Sequence, residues 1–259
     1  VPAINGRLLP PTRPVRGAGA VYLFAANAAS RYDSLQLQLR GHLSRGLQYH
    51  AAYTYAHTLD DVSDVFDLAG ASSLPQNSLT PNERGPANFD LRHRFTFYFT
   101  YDFSALSQHW LLDGLQLAGT GQFNTGPPFT VNSLFDMNLD GNLTDRLDTT
   151  NGLAVTGDGR QPLRLQTDNT FSLLAAPGND GRVGRNTFRA GGLAVVDLAV
   201  VKQFRFGAQR LNVRTEFFNL FNRANYGIPV RWLEAPGFGQ ATRTVTPARR
   251  IQFALKYEF

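Results

Sequence analysis

The sequence predicts an all-β fold, an antiparallel up-and-down transmembrane sheet of about seven strands. Seven segments alternate apolar and polar residues with period two, so the apolar side chains of each segment share one face. Several of these faces are rich in aromatic residues, which a soluble sheet would have to cover and which a bilayer does cover. The connections alternate between short and long, as in barrels that cross a membrane with tight turns on one side and long loops on the other.

Length and composition limit the possible classes of protein. The chain has 259 residues, of which 42% are hydrophobic, and this is enough to form a core. No run approaches the roughly 18 consecutive apolar residues of a membrane helix, and Val1 to Pro14 show no charged start followed by an apolar core. Neither a helical anchor nor a signal peptide is therefore predicted. The absence of cysteine excludes a disulfide framework and a thiolate metal site.

The net charge of +5 does not by itself indicate a nucleic-acid partner. The 25 basic residues are spread along the chain rather than clustered on one segment. Scattered positive charge suits a polar channel wall or anionic lipid head groups. The sequence therefore predicts no binding to nucleic acid.

The first two strands follow an irregular lead-in. Residues 1–29 are rich in Pro, Gly and Ala and are predicted to be irregular and extracellular, whereas residues 30–259 are predicted to form a barrel segment. A strand over Ser34–Leu43 alternates leucine with polar residues, a short turn over 44–46 reverses the chain, and a strand over Leu47–His57 returns. Tyrosines near the far end of the second strand are typical of an aromatic girdle at a membrane interface.

The third and fourth strands differ in their content of large side chains. The third begins at about Arg92 and has five aromatic residues on one face, namely Phe95, Phe97, Phe99, Tyr101 and Phe103. The fourth runs from Leu115 to about Asn124. Its glycines, Gly119 and Gly121, could suggest a nucleotide site, but no helix follows them, so a curved barrel strand explains them better.

The last three strands complete the pattern. The fifth, Ala194–Phe206, places Lys202 on its apolar face near the strand end, where its ammonium is expected to extend to a lipid head group. The sixth starts at about Leu211, and its alternation breaks at 217–221, which predicts a bulge or the end of the strand. The seventh, Arg250–Phe259, keeps its alternation up to the last residue.

Three long polar connections, at about 59–90, 126–190 and 222–248, are predicted to be extracellular loops, which makes the C-terminus periplasmic. An odd number of strands leaves open sheet edges. Because unpaired backbone groups in hydrocarbon cost several kcal/mol each, seven strands cannot be a complete barrel. The sequence is therefore interpreted as a fragment whose missing strands lie upstream.

Seven short motifs occur in a characteristic order. They are Ser44-Arg-Gly-Leu-Gln48, Ala51-Ala-Tyr-Thr-Tyr55, Phe89-Asp-Leu-Arg-His-Arg94, Val183-Gly-Arg-Asn-Thr-Phe-Arg189, Val196-Asp-Leu198, Glu216-Phe-Phe-Asn-Leu-Phe-Asn222 and the final Phe259. From about Arg31 onward the chain resembles the TonB-dependent outer-membrane receptors, and within them the Oar-like group. The resemblance implies the C-terminal segment of a barrel of about 22 strands with a plugged lumen, located in the bacterial outer membrane.

The same resemblance implies a function and a set of partners. The function is energy-coupled uptake of a ligand across the outer membrane. The partners are outer-membrane lipid, the upstream barrel strands and plug domain of the same protein, a TonB-type coupling protein that contacts the N-terminal part, and the barrel-assembly machinery. The plug and the coupling box of that family do not occur in this sequence.

Two sets of residues follow from the strand faces. The polar rows are expected to line the lumen, and the residues assigned to it are Gln36, Gln38, Arg40, Thr96, Gln116, Arg214 and Glu216. The apolar row of the last strand resembles the C-terminal signal that the assembly machinery recognises, and its residues are Phe253, Leu255, Tyr257 and Phe259.

One segment resembles the start of a calcium loop. Asp136-Met-Asn-Leu-Asp-Gly141 has oxygen ligands at positions one, three and five and glycine at six. The candidate Ca²⁺ ligands are Asp136, Asn138, Asp140 and the backbone carbonyl of Asn142. Position twelve is Leu147 instead of glutamate, so Asp145 or Asp148 would have to substitute, and a polar surface turn is the alternative. No other cofactor is predicted.

No catalytic residue is predicted, and the chain is not expected to be an enzyme. Asp90 and His93 could be combined with a serine as a triad, but no nucleophile elbow accompanies them. Three functions remain open: a component of ligand uptake, a passive porin or structural barrel, and a soluble β-sandwich adhesin stabilised by calcium. A plug and a coupling box upstream would distinguish the first from the second, and insertion into outer membranes would exclude the third.

Overall fold

Seven long strands form one antiparallel sheet in which neighbours in sequence are neighbours in space. The computed structural model describes residues 3–4, 7–8, 28–43, 46–63, 76, 83–107, 109–139 and 143–259. The strands are β1 (Ser30–Leu43), β2 (Leu47–Asp60), β3 (His93–Asp102), β4 (Leu115–Asn124), β5 (Leu193–Phe206), β6 (Gln209–Phe218) and β7 (Arg250–Glu258). The predicted all-β, up-and-down fold is confirmed.

Other regular structure is short. Among the described residues, seven two- or three-residue strands lie outside the main strands and pair with one another or with β2, namely Ala3–Ile4, Arg7–Leu8, Gly85–Pro86, Pro128–Phe129, Leu153–Val155, Leu163–Leu165 and Phe188–Arg189. The helical segments are the 3-10 turns Phe103–Ala105 and Thr170–Leu173. Within the described residues, no helix is long and apolar enough to cross a membrane.

The observed strand ends differ most from the predicted ends at the start of β1. This strand begins at Ser30 rather than Ser34, because Arg31 and Tyr32 pair with β2 although they do not follow the apolar alternation. Most of the lead-in 1–29, the turn residues Ser44 and Arg45, and much of the first long connection lie outside the described residues. At the N-terminus, Ala3–Ile4 and Arg7–Leu8 form a two-stranded pair.

The pairing register gives the sheet one polar face. Arg40 lies opposite His50, His50 opposite Tyr98, Tyr98 opposite Thr120, and Thr120 opposite Asp197. Residues directly opposite in antiparallel strands point to the same side. Polar groups from β1 to β5 therefore form a continuous row across the sheet.

The other face is apolar and exposed. Leu39, Phe253 and Leu255 keep 61%, 75% and 74% of their surface accessible. A soluble sandwich would need a second sheet on this face, and the described residues provide none. A patch of this extent marks contact with a membrane or another apolar phase.

On this face, two phenylalanine rings of β3 lie over two glycines of β4. Phe97 of β3 lies opposite Gly121 of β4, and Phe99 lies opposite Gly119. A Cβ atom at either glycine would overlap the opposite phenyl ring. The two glycines therefore provide space for rings that lie across the neighbouring strand, which is a more specific reason than strand curvature.

All three long connections leave the sheet at the same end. Since the strands alternate in direction, the connections after β2, β4 and β6 leave the sheet at one end, and the connections after β1, β3 and β5 leave it at the other. The end of β6 is a turn and not a bulge: Asn219 and Asn222 adopt φ of 52° and 51°. Asparagine tolerates this left-handed conformation better than most residues.

The buried apolar core lies in the long connections and not on the sheet. Its fully buried members include Phe129, Leu147, Leu163, Leu173 and Leu233. We call the described part of these connections, residues 83–90, 125–139, 143–192 and 219–249, the loop layer. The sequence predicted the segments as polar loops, because their few apolar residues follow no strand or helix period.

Candidate functional site

Arg185 ties the second long connection to the first. Its side chain is buried, with 2% exposed. Its guanidinium donates hydrogen bonds to the main-chain oxygens of Glu83 (3.0 Å) and Asp60 (2.7 Å), to Ser63 Oγ (3.2 Å), and to the carboxylate of Asp60. The planar fork of arginine suits several acceptors at once. The second connection is thus held against the end of β2.

Asp90 is the centre of a second tie. It is 1% exposed, and its carboxylate accepts hydrogen bonds from Thr58 N (2.7 Å), Arg92 Nε (3.0 Å) and the guanidinium of Arg189, with His57 Nδ1 at 3.3 Å. Burial alone would raise the pKa of Asp90, but the hydrogen bonds from Thr58, Arg189, Arg92 and His57 outweigh it and lower the pKa below the usual range. The carboxylate is therefore charged at neutral pH.

Asn186 makes a third contact between the same connections. Its Nδ2 donates to Pro86 O and to Asn88 Oδ1, both at 2.7 Å, and its main-chain N–H donates to Thr130 Oγ1 at 2.9 Å. Asn186 has a φ of 55°, which turns the chain between Arg185 and the buried Phe188. The seven residues 183–189 therefore supply both side-chain hydrogen bonds to the first connection and one residue of the apolar core, Phe188.

Gln76 and Glu83 join the first connection to the calcium-like segment. Glu83 and Arg146 form a buried ion pair at 2.7 Å. Gln76 Oε1 accepts from Arg146 N at 2.7 Å, Gln76 Nε2 donates to Gly181 O at 3.0 Å, and Gln76 O accepts from Asn138 Nδ2 at 3.0 Å. Gln76 thus contacts three separate parts of the second connection, at Asn138, Arg146 and Gly181.

The third long connection is attached through Glu234 and Arg231. The carboxylate of Glu234 accepts from Ser133 Oγ and from Leu134 N, both at 2.8 Å. Arg231 Nη1 donates to Oδ1 of the buried Asn132 at 2.6 Å. Apolar contacts of Leu233 and Phe238 with the core complete the attachment. The three connections therefore pack as one layer.

An open apolar cavity of about 670 Å³ lies on the loop layer. Phe135 and Phe171, whose rings stack with centroids 5.1 Å apart, form one part of its wall, and Met137, Leu139 and Leu174 form another. Phe135 and Phe171 are 43% and 57% exposed. Such a surface can bind the apolar face of a ligand.

The seven residues assigned to the lumen all lie on the polar face. Gln38 and Thr96 lie on either side of Ala52, and Gln116 and Arg214 lie on either side of Val201. Gln36 pairs with Thr54, Arg40 with His50, and Glu216 with Ala199. The predicted residues are thus on one side but spread over the sheet. That this side lines a lumen stays a prediction.

A second cavity, of about 480 Å³, lies on the polar face, beside Thr246 of the third connection. Of the predicted lumen residues it contacts Thr96, and it is also lined by His50, Tyr98 and Asp197. The rings of His50 and Tyr98 stack with centroids 5.2 Å apart. His50 and Asp197 occupy polar positions in the same period-two pattern, whereas Tyr98 is an aromatic residue on the polar face.

The residues of the assembly signal lie on the apolar face of β7, which is an edge strand of the described sheet. Their exposed fractions are 75% for Phe253, 74% for Leu255, 52% for Tyr257 and 98% for Phe259. The last two rings lie with centroids 6.1 Å apart.

The calcium prediction is only partly covered by the described residues, because Asp140 and Asn142 lie outside them. Asn138 Nδ2 donates to Asp180 Oδ1 at 2.9 Å. Leu147 is a core residue with no exposed surface, and Asp148 binds Arg182 with two contacts of 2.7 Å. In the described part of the chain, no group of three or more His, Cys, Asp and Glu could hold a metal ion. The calcium site stays a prediction.

Asp90 and His93 do not form a dyad. His93 Nδ1 lies 2.7 Å from the hydroxyl of Tyr53, whereas Asp90 binds arginines and Thr58. Arg92 contacts Asp90 and, at 3.2 Å, His57 Nε2, while Arg94 pairs with Thr54 on the polar face. Arg92 therefore binds Asp90 of the loop layer, whereas Arg94 lies on the polar face of the sheet.

A match to a known protein family agrees with the exposed apolar face of the sheet. The family profile described as "Outer membrane beta barrel domain" matches residues 5–252. Searches of curated proteins and of solved structures found no match. The match spans nearly the whole chain, and the sheet has the exposed apolar face that such a protein presents to lipid. The chain therefore belongs to the outer membrane beta barrel domain family and is an outer-membrane β-barrel protein.

Proposed function

We propose that this chain is the C-terminal part of the barrel of a TonB-dependent receptor of the Oar-like group, which takes up an unidentified ligand across the bacterial outer membrane with energy coupling. The observation that carries the proposal is the contact between Asp90 and Arg189. These residues belong to two of the seven motifs, 89–94 and 183–189, that together carry the resemblance to that family.

The packed loop layer suits capture of a ligand before transport. A surface that is already ordered loses less conformational entropy when a ligand binds. The cavity lined by Phe135 and Phe171 supplies apolar contact area, and the exposed Arg182 belongs to the same connection. In this proposal the long connections face the exterior, the polar face of the sheet lines the lumen, and the C-terminus is periplasmic.

A passive porin or structural barrel is the competing function. It would use the same polar face but would have neither plug nor energy coupling. Recordings of the intact protein in planar lipid bilayers distinguish the two. A plugged receptor is expected to stay closed, and to bind the periplasmic domain of a TonB-type protein in a pull-down. A steady open conductance together with no binding would overturn the proposal and favour the porin.

A further inference from the structure

Lys202 is a charged residue on the apolar face of the sheet. It alternates with Val200 and Phe204 in β5, and it lies opposite Leu115 of β4 and Val213 of β6. A lysine on a face that meets hydrocarbon is costly unless its charge reaches an interface or a partner.

The ammonium of Lys202 has partners in the chain. Nζ donates to the main-chain oxygens of Trp110 (2.6 Å), Leu111 (3.2 Å) and Asp113, and it lies 5.3 Å from the ring centroid of Phe204. An ammonium has three protons, and three carbonyl acceptors match them. The side chain therefore does not extend to a head group, as the sequence suggested, but binds the connection 103–114.

This contact determines on which side of the sheet the connection lies. Lys202 projects from the apolar face and its Nζ lies near the ring of Phe204 on that face, so the carbonyls that it binds lie on the apolar side, close to the end of the sheet where β4 begins. The segment is also internally fixed, since Gly114 N donates to Ser104 Oγ at 2.8 Å and Asp113 N donates to His109 O at 2.9 Å. The described residues of this connection are therefore folded and lie next to the end of the apolar face.

The connection points apolar side chains outward. Trp110 is 67% exposed, Leu111 51% and Leu106 50%, and Phe206 at the end of β5 is 58% exposed. Tryptophan favours the boundary between head groups and acyl chains, because its ring is apolar and its N–H is a hydrogen-bond donor. Four exposed large apolar side chains at one end of a lipid-facing sheet match the chemistry of that boundary.

We propose that the connection 103–114 is a membrane anchor that inserts Trp110 and Leu111 into the head-group layer of the periplasmic leaflet, and that Lys202 positions it. The partner is a phospholipid surface. The inference rests on the proposed orientation, in which the short connections are periplasmic. The anchor fixes how deep this end of the sheet lies in the bilayer.

Depth-dependent fluorescence quenching tests the anchor. In the intact protein, reconstituted in phosphatidylethanolamine and phosphatidylglycerol vesicles, Trp110→Cys is labelled with an environment-sensitive dye as the single labelled position. We expect nitroxide-labelled lipids to remove most of its emission, and aqueous iodide to remove little. Ala208→Cys, in the short turn 207–208 at the same end, is the matched control and should show the opposite pattern.

A third label, at Leu255→Cys on the apolar face of β7, separates failure of the anchor from failure of the barrel. Quenching by lipid at 255 together with quenching only by iodide at 110 would overturn the anchor and leave the barrel intact. Absence of lipid quenching at both positions would contradict the membrane placement itself.

Lys202→Met tests the positioning role, because methionine keeps the apolar bulk and removes the three hydrogen bonds. The dye at 110 should lose its protection from iodide in this variant, whereas Lys202→Arg, which keeps donors, should retain more of it. Unfolded variants are recognised by loss of the heat-modifiable band in electrophoresis. Unchanged protection in folded Lys202→Met would show that Lys202 does not position the anchor.

Discussion

Arg189 donates hydrogen bonds to the carboxylate of Asp90 and to its main-chain oxygen, the latter at 2.9 Å, and it also reaches Gly126 O at 3.1 Å. One side chain thus links the segment before β3, the exit of β4 and the segment before β5. Asp90 is almost completely buried and charged. Its ion pairs are therefore interior contacts that hold the loop layer together, and not exposed surface pairs.

Removal of the Asp90 carboxylate should loosen the loop layer. In Asp90→Ala the partly buried guanidiniums of Arg92 and Arg189 lose their buried acceptor, which is expected to cost about 3 kcal/mol. We expect faster cleavage of the long connections by protease, while the sheet keeps its heat-modifiable band. Asp148→Ala is the control. Asp148 is more exposed than Asp90 and pairs with the exposed Arg182, so its removal should leave cleavage nearly unchanged. Equal cleavage of wild type and Asp90→Ala would contradict this role.

The same carboxylate makes the loop layer sensitive to acid. The folded-state pKa of Asp90 is lowered, so its contribution to stability is complete above the unfolded-state pKa of about 4 and is lost as pH falls through the lower folded value. Hydrogen exchange, corrected for the intrinsic pH dependence, should show constant protection of the loop layer from about pH 7 to 5 and a decrease below about pH 4. Asp90→Asn should remove much of this decrease. An identical acid profile in that variant would refute the assignment to Asp90.

Gly126 is a position at which no side chain fits. A Cβ atom there would overlap the carbonyl oxygen of Ala190, which belongs to the backbone and cannot move aside. Gly126→Ala should therefore separate Pro128–Phe129 from Phe188–Arg189 and destabilise the loop layer by about 1–3 kcal/mol or more. Gly184→Ala is the matched control, since a Cβ there meets only ordinary contact with Thr187 Oγ1 at 3.5 Å. Equal protease resistance of the two variants would contradict the prediction.

The sheet could be predicted from the sequence, because each strand repeats a period-two pattern that depends on its own residues alone. The loop layer could not. Its core residues follow no period, and its ties join distant positions, such as Arg185 and Asp60, which are 125 residues apart. The cavity lined by Phe135 and Phe171 depends on the same long-range packing. Lys202 was placed on the correct face, but the carbonyls that bind it come from a connection whose path has no local signal.

Calcium binding is a separate prediction for the segment 136–148. If Asp136, Asn138 and Asp140 act as the first three ligands, isothermal titration of the intact protein with CaCl₂ should show saturable binding, which Asp136→Asn weakens because it removes a charged oxygen donor. Mg²⁺ should bind more weakly to a flexible, oxygen-rich loop. Asp158→Asn, in the same long connection, is the control for a general loss of acidic charge. No heat from CaCl₂ with the wild-type protein would exclude the site.

Deletion of Phe259 tests whether the apolar row of β7 is the signal for membrane assembly. Its ring is 98% exposed and continues the apolar row of Phe253, Leu255 and Tyr257, so nothing in the described fold accounts for an aromatic residue there through packing. Deletion of Phe259 should therefore leave the sheet contacts unchanged but impair recognition by the barrel-assembly machinery. The amount of heat-modifiable protein in outer membranes should fall, and unfolded protein should be degraded in the periplasm.

The matched control for this deletion is Glu258→Gln, which changes the neighbouring residue on the polar face and removes an exposed ion pair with Lys256. Such pairs contribute little to folding, so the membrane level of this variant should equal that of the wild type. Phe259→Tyr should also keep assembly, because it retains the aromatic ring at the end of the apolar row. If the deletion reached the wild-type membrane level, the apolar row of β7 would serve only as a lipid-facing surface, and the assembly signal would have to lie elsewhere in the protein.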